Sequence, residues 1–225
     1  MARVLALALA AAAVAACGEI PPDPHQLLID AGAKLGSIRT VAFDVTFGSG
    51  ATILGQPLAL ARGKVRRPAD GDLEVDIGQG GSLYVAEVLA VQGRVYFRPT
   101  QFLAFTQLSP PTAAQYPEAA RLFDPKTGVP ADIPKGKDAK LEGSESVDGH
   151  DCYRLVATYT AATLGSAFQP LTLPDTVRAT FWIDRQSRLP RRARLEGHLY
   201  QPARNSFLDV HLHDFDRPVD IRPPA

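Results

Sequence analysis

Cysteine is nearly missing from this chain: among 225 residues there are two, Cys17 and Cys152, beside one methionine and one tryptophan. Excess charge is missing too. Lys plus Arg and Asp plus Glu each number 24, which leaves no electrostatic footprint for a nucleic acid. No cluster of Lys and Arg is present that would hold an anionic lipid surface by charge alone. After the first sixteen residues no apolar run approaches the ~20 residues of a membrane-spanning helix. Internal repeats and low-complexity tracts are absent, and so is a G-x-S-x-G nucleophile elbow. These absences exclude a nucleic-acid binder and a multi-span membrane protein, and they leave little for an enzyme to work with.

What is present begins at residue 1. Arg3 and the amino terminus form a short positive region, and Val4 to Ala16 is an apolar run too short to span a bilayer. Ala15 and Ala16 then precede Cys17 and Gly18. The V-A-A-C of residues 14–17 resembles the lipobox of bacterial lipoproteins, whose cysteine thiol takes a diacylglyceryl group and becomes the first residue. A secretory signal with an incidental cysteine is the alternative. A buried helix fits worse, because the run has no polar face. The expectation is a signal peptide over 1–16, an acylated Cys17 with a tether over 17–24, one domain over 25–217 and a tail over 218–225. The protein then sits outside the cytoplasmic membrane, held by acyl chains. With Cys17 acylated, Cys152 has no intrachain partner.

Asp23-Pro24-His25-Gln26 reads as a helix start, with Asp as cap, Pro at the first helical position and Gln three residues on. Leu27, Leu28, Ala31 and Leu35 share one face, so the helix covers about 24–36 and Gly36 ends it. The period then changes to two. Val41, Phe43, Val45 and Phe47 alternate with smaller or polar residues, and further strands are expected at 57–67, 72–78, 82–91 and 94–98. Gln92-Gly93 suits a two-residue turn. Residues 99–140 lose the rhythm and are rich in proline, with a short helix expected from Pro117 to Phe123. Strands return at 141–148, 151–159, 176–184, 191–200 and 206–215, with a hairpin turn at Asp148-Gly149 and a short helix over Ala161–Phe168. Successive strands with short turns imply an antiparallel meander curled over helices, an α+β fold.

Catalytic signals are weak. Gly165-Ser166-Ala167 lacks a framing glycine, and Gly48-Ser49-Gly50 is not followed by a helical pattern, so neither reads as a nucleophile elbow or a phosphate cradle. His211 and His213 share one face of a strand and could share a metal. The apolar set there is Leu208, Val210 and Leu212, which leaves both histidines facing solvent, and no metal or cofactor is expected. Cys152 shares the Arg154 face and reads as a structural thiol. Trp182 opposes Phe181 and Ile183 and covers the outer surface.

Three blocks add a resemblance: GGSLYVAEVLAVQGRVYFRPTQF (80–102), YPEAARLFDPKTGVPADI (116–133) and VRATFWID (177–184). With the lipobox, their order and spacing resemble the LppX/LprG family of actinobacterial envelope lipoproteins over nearly the whole mature chain. That resemblance implies a curved antiparallel half-barrel, with two or three helices across its concave side enclosing an apolar cavity. It is similar in outline to the periplasmic Lol lipoprotein carriers. The implied ligands are acyl chains of glycolipids, phospholipids or triacylglycerol, and a membrane lipid transporter is a candidate partner. The inward residues expected to line the cavity are Phe43, Val45, Val75, Ile77, Val88, Val95, Tyr153, Leu155, Ala157, Phe181 and Leu195. Pro130 and Pro134 shorten the helix that follows D-P-K-T-G in the family. The expected function is a non-enzymatic lipid carrier. The alternative is a structural or transporter-accessory lipoprotein with a filled core.

Overall fold

A computed structural model describes residues 21–53, 55–79, 82–116, 119–160, 162–164 and 176–224. The signal peptide, Cys17 and five of the eight residues of the expected 161–168 helix lie outside the described residues; 162–164 form a turn.

Helix α1 (Pro24–Ser37) starts where its cap residue lies, the Asp23 carboxylate accepting the Gln26 backbone N–H at 2.7 Å. Its buried face is Leu27, Leu28, Ala31, Gly32 and Leu35. At Gly32 any side chain would collide, since a Cβ there would lie 2.6 Å from the Pro130 carbonyl oxygen. The strands are β1 (Thr40–Phe47), β2 (Thr52–Ile53), β3 (Gln56–Arg66), β4 (Asp70–Gln79), β5 (Ser82–Val91) and β6 (Arg94–Arg98). After them come β7 (Thr106–Gln107), β8 (Lys137–Val147), β9 (His150–Tyr159), β10 (Val177–Asp184), β11 (Pro190–Gln201) and β12 (Arg204–His213). Three further helices, α2 (Pro110–Ala113), α3 (Ala119–Leu122) and α4 (Val129–Asp132), are one turn each. The described chain is therefore mostly β, which corrects the expected α+β class: Pro125 follows the end of α3 and Pro134 that of α4, so neither helix continues. A 3₁₀ turn, Ile133–Lys135, replaces any continuation of α4.

Eleven strands form one open antiparallel sheet in the order β7-β6-β5-β4-β3-β1-β12-β11-β10-β9-β8, with β2 paired to β3 off this path. It consists of two meanders joined through the pairing of the first strand with the last, Phe43 opposite Leu212. The turns at Gln92-Gly93 and Asp148-Gly149 have positive φ at both residues, the geometry that matches strand twist. Helices α1, α3 and α4 lie over one face, the concave one: α3 contacts β3 and β4, and α1 contacts α4, the 3₁₀ turn and β8. Residues 219–221, within the stretch read as a tail, pack on the other face. Ile221 is buried with Leu89, Val91 and Tyr96, and Arg66 Nη2 donates to its carbonyl at 3.1 Å.

Candidate functional site

The strand register decides which residues share the concave face. Phe43 lies opposite Leu212, Val45 opposite Ala61, and Val75 opposite both Ala61 and Ala86. Val88 pairs with Leu73 and Phe97, and Val95 with Ala90. Across the other meander, Leu195 pairs with Ala179 and Leu208, Phe181 with Leu155, and Ile183 with Tyr153. Directly opposed residues project to the same side, so the register brings all eleven inward residues named from the sequence to one face. Phe43, Val75, Val88, Tyr153, Leu155, Ala157, Phe181 and Leu195 are buried in a single cluster with α1, Phe123 and Ile133. Val45, Ile77 and Val95 are partly buried against it.

Burial along this face is uneven. At the end where β1 starts and β10 turns into β11, Val41, Val65, Ile183 and Leu212 are fully covered. That end is also tied by polar bonds. Arg67 Nη1 donates to the Gly36 carbonyl at 2.6 Å and to that of Phe123 at 3.3 Å, and the Arg39 N–H donates to Asp216 Oδ1 at 2.6 Å. Asp184 accepts the backbone N–H groups of Gln186 and Ser187 at 2.9 and 2.8 Å and pairs with Arg191 at 3.2 Å. Burial alone would raise its carboxyl, but those N–H groups and Arg191 outweigh burial and hold it below the usual carboxylate range.

At the other end Tyr159, Val177 and Leu199 are fully covered too, but on the β1–β6 half Phe47, Leu58, Ile77, Phe97 and Tyr116 pack against the same core and are only partly buried. The Phe97 and Tyr116 rings lie 4.9 Å apart. Of these five, only Ile77 was among the residues singled out from the sequence. Phe47 and Phe97 continue the alternation of Val45 and Val95 and were readable by it. Leu58 precedes an irregularity in the β3–β4 register that hides its facing, and Tyr116 lies in a proline-rich stretch without a period. Beneath the cover, the Tyr159 hydroxyl donates to the Ile133 carbonyl at 2.6 Å, and burial pushes its phenol well above the ordinary range. Outside the core, an apolar groove of about 390 Å³ lies between α1 and the 125–134 segment, lined by Ile29, Gly32, Gly36, Pro125, Pro130 and Pro134 among others.

The convex face carries the charges. Arg192 and Arg194 both pair with Asp209, at 2.7 and 3.1 Å, and stack over Trp182 and Phe207. Asp72 is pushed up to about 6 by burial and by the neighbouring Glu87. Trp182 faces outward as the alternation requires, yet it is buried, in a cluster with Val147 and Cys152, and its Nε1 donates to Glu145 at 2.8 Å. Burial raises the Cys152 thiol to about 11, which suits a structural role and not a nucleophile. His211 pairs with Asp148 at 3.1 Å, and His213 with Asp44 and Asp214 at 3.0 Å each, all at least a third exposed. The two imidazoles thus face different carboxylates. Among the described residues no group of three or more His, Cys, Asp or Glu side chains is placed to hold a metal ion.

Residues 23–221 match the LppX_LprAFG lipoproteins. The chain belongs to that family. The lipoarabinomannan carrier protein LprG of Mycobacterium tuberculosis and Mycobacterium bovis is 26% identical over 193 residues, covering 81% of this chain and 79% of that protein. The crystal structure of LprF from Mycobacterium bovis superposes with a TM-score of 0.73 at 17% identity, covering 91% of this chain and 98% of that one. The structure of Mycobacterium tuberculosis LppX gives 0.61 at 14% identity, over 89% of this chain and all of the other. These two likenesses establish the fold. No described helix is long and apolar enough to cross a membrane.

Proposed function

We propose that the protein is an envelope lipoprotein, anchored through acylated Cys17, that holds the acyl chains of a lipid or glycolipid under its concave sheet and carries or presents them without chemistry. The observation that carries this reading is the partly buried apolar rim of Phe47, Leu58, Ile77, Phe97 and Tyr116, continuous with a predominantly apolar interior. Such a rim costs free energy in water and loses that cost when hydrocarbon covers it. Each buried methylene contributes about 0.8 kcal/mol, so a long chain binds firmly with no polar contact. The eleven inward residues named from the sequence are the proposed lining, with the four further rim residues at its mouth. The relative named as a lipoarabinomannan carrier makes a glycolipid the first ligand class to test. A membrane lipid transporter is the proposed partner for delivery.

The complete burial of Leu155 and Ala157 favours a second reading, a transporter-accessory lipoprotein whose core is filled throughout. Native mass spectrometry of the chain begun at Gly18, purified from a lipid-rich host, separates the two. Extra mass in acyl-lipid steps is expected. Bare protein from every lipid-rich source would leave the filled-core reading standing.

A further inference from the structure

From Pro99 to Pro117 the chain has no charged residue, although about a fifth of the whole sequence is charged. This stretch is not interior. Gln101 through Ala104, and Thr106 and Gln107 beyond, are exposed, and Phe102 and Leu103 are 79% and 56% accessible, where most large apolar side chains are covered. Nor is the loop loosely attached. The Gln101 side-chain oxygen accepts the Val85 N–H at 3.2 Å, and Thr100 takes the N–H groups of Leu103 and Phe102 at 3.1 and 3.3 Å through its carbonyl and hydroxyl. On the far side Phe105 packs into the convex cluster under the Arg98 guanidinium, 4.6 Å from its ring centroid. Held at both shoulders, the loop presents Phe102 and Leu103 outward. Leu83, 58% accessible, is two residues along β5 from the Val85 that grips the loop. The loop leaves β6 at the end of the sheet where the partly buried rim lies, since Phe97 is the penultimate residue of that strand.

A protein surface that is exposed, apolar and free of charge suits a lipid interface, where charges are costly and Phe and Leu are favoured. The tether decides what faces it. Five residues lie between Cys17 and the cap Asp23, six Cα steps with a reach of at most about 20 Å fully extended. A domain held so close always turns some face to the bilayer. We infer that the face is the Phe102–Leu103 loop with Leu83, which dips into the bilayer interface that holds the Cys17 lipids and sets the rim beside it. This rests on the anchored-carrier reading above.

The test uses the acylated chain, extracted from membranes and reconstituted into phosphatidylcholine vesicles with brominated or ordinary acyl chains. The parent has a single, buried indole, Trp182, as internal reference. In Phe102→Trp, brominated lipid should quench the new indole several-fold more than it quenches the parent. The quenching should not change when salt is raised, because no charge takes part. Arg94→Trp, exposed at the opposite end of β6, should remain unquenched. Protein that floats with the vesicles while the new indole at 102 is unquenched, or while 94 is quenched equally, overturns the docking and leaves the anchor intact. Protein that does not float overturns anchor and docking together. Lipid mass in the same preparation reports on carriage separately.

Discussion

The two ends of the sheet are built on the same concave face but finished differently. At one, Val41, Val65, Ile183 and Leu212 are sealed, and Arg67, Asp184 and Asp216 bond the α1 exit and the β10–β11 turn into place. At the other, Tyr159, Val177 and Leu199 are sealed as well, but on the β1–β6 half inward Phe47, Leu58, Ile77 and Phe97 are only partly buried, and the neighbouring loop is apolar and uncharged. An ordinary core would be finished alike at both ends, because a half-exposed aromatic forgoes part of its transfer free energy. On the proposed carrier reading, the sealed end is scaffold and the partly covered rim is the mouth, and that assignment can be tested residue by residue.

The largest effect should come from the sealed end. Asp184→Ala removes the acceptor for two backbone N–H groups and takes its carboxylate from Arg191, whose side chain is only 14% accessible and keeps the His150 imidazole at 3.2 Å. Losing one partner of a buried pair costs about 3–5 kcal/mol, read as a fall in the urea midpoint. The pH dependence has a fixed sign. A carboxyl held low in the folded state contributes stability above its unfolded value and loses it as pH falls through the folded one. Wild type should therefore weaken in acid below about pH 4, and the Ala variant, already without that contribution, should show a shallower slope there.

A matched pair of substitutions contrasts the middle of the sheet with the rim. Leu155 is fully buried in mid-strand and pairs with Phe181 and Leu141, so if the core is filled there Leu155→Trp overpacks at about 1–3 kcal/mol, whereas space for an acyl chain against Leu155 would admit the indole with little strain. Ile77→Trp puts the same indole on the rim, where space is open on one side. It should cost under about 1 kcal/mol while co-purified lipid falls sharply. Equal destabilisation at both sites would erase the distinction between scaffold and mouth. If Ile77→Trp folds and retains its full lipid load, the mouth lies elsewhere.

Much of the concave face was legible in the alternation of single strands. Tyr153, Leu155 and Ala157, and Phe181 with Ile183, all faced as a period of two demands, because successive side chains of a strand point to opposite sides of the sheet. The Asp23 cap and the two positive-φ turns were legible for the same reason: local chemistry determines them. The β1–β12 pairing was not, since nothing within either strand names a partner some 165 residues away. Nor were β7, α2 and α4, which are too short to show a period. Sequence alternation also put Trp182 on the outside but could not show that Glu145, Val147 and Cys152 cover it. The difference between the ends was the least legible feature, since Phe47 and Phe43 look alike in sequence and differ only in what the rest of the chain lays over them.

The smallest effect should come from His211 and His213, and it sharpens the comparison because the pair sits on the sealed half. Chemically they resemble Asp184 and Arg191: each is half of a carboxylate pair near 3 Å. Burial separates them. The His211 and His213 side chains are 34% and 37% accessible, and their partners Asp148, Asp44 and Asp214 are about half-exposed, so water competes for every contact. Exposed pairs contribute from nothing to about 1 kcal/mol, and a glutamine retains one hydrogen bond of the imidazole. His211→Gln with His213→Gln should therefore shift stability by no more than about 0.5 kcal/mol and leave lipid content unchanged. The melting temperature and the mass of bound lipid check this together. A loss approaching that of Asp184→Ala would mean that the seal depends on charge pairing along the whole convex edge and not on the buried turn. In that case the contrast between the two ends would have to be redrawn as one between the two faces.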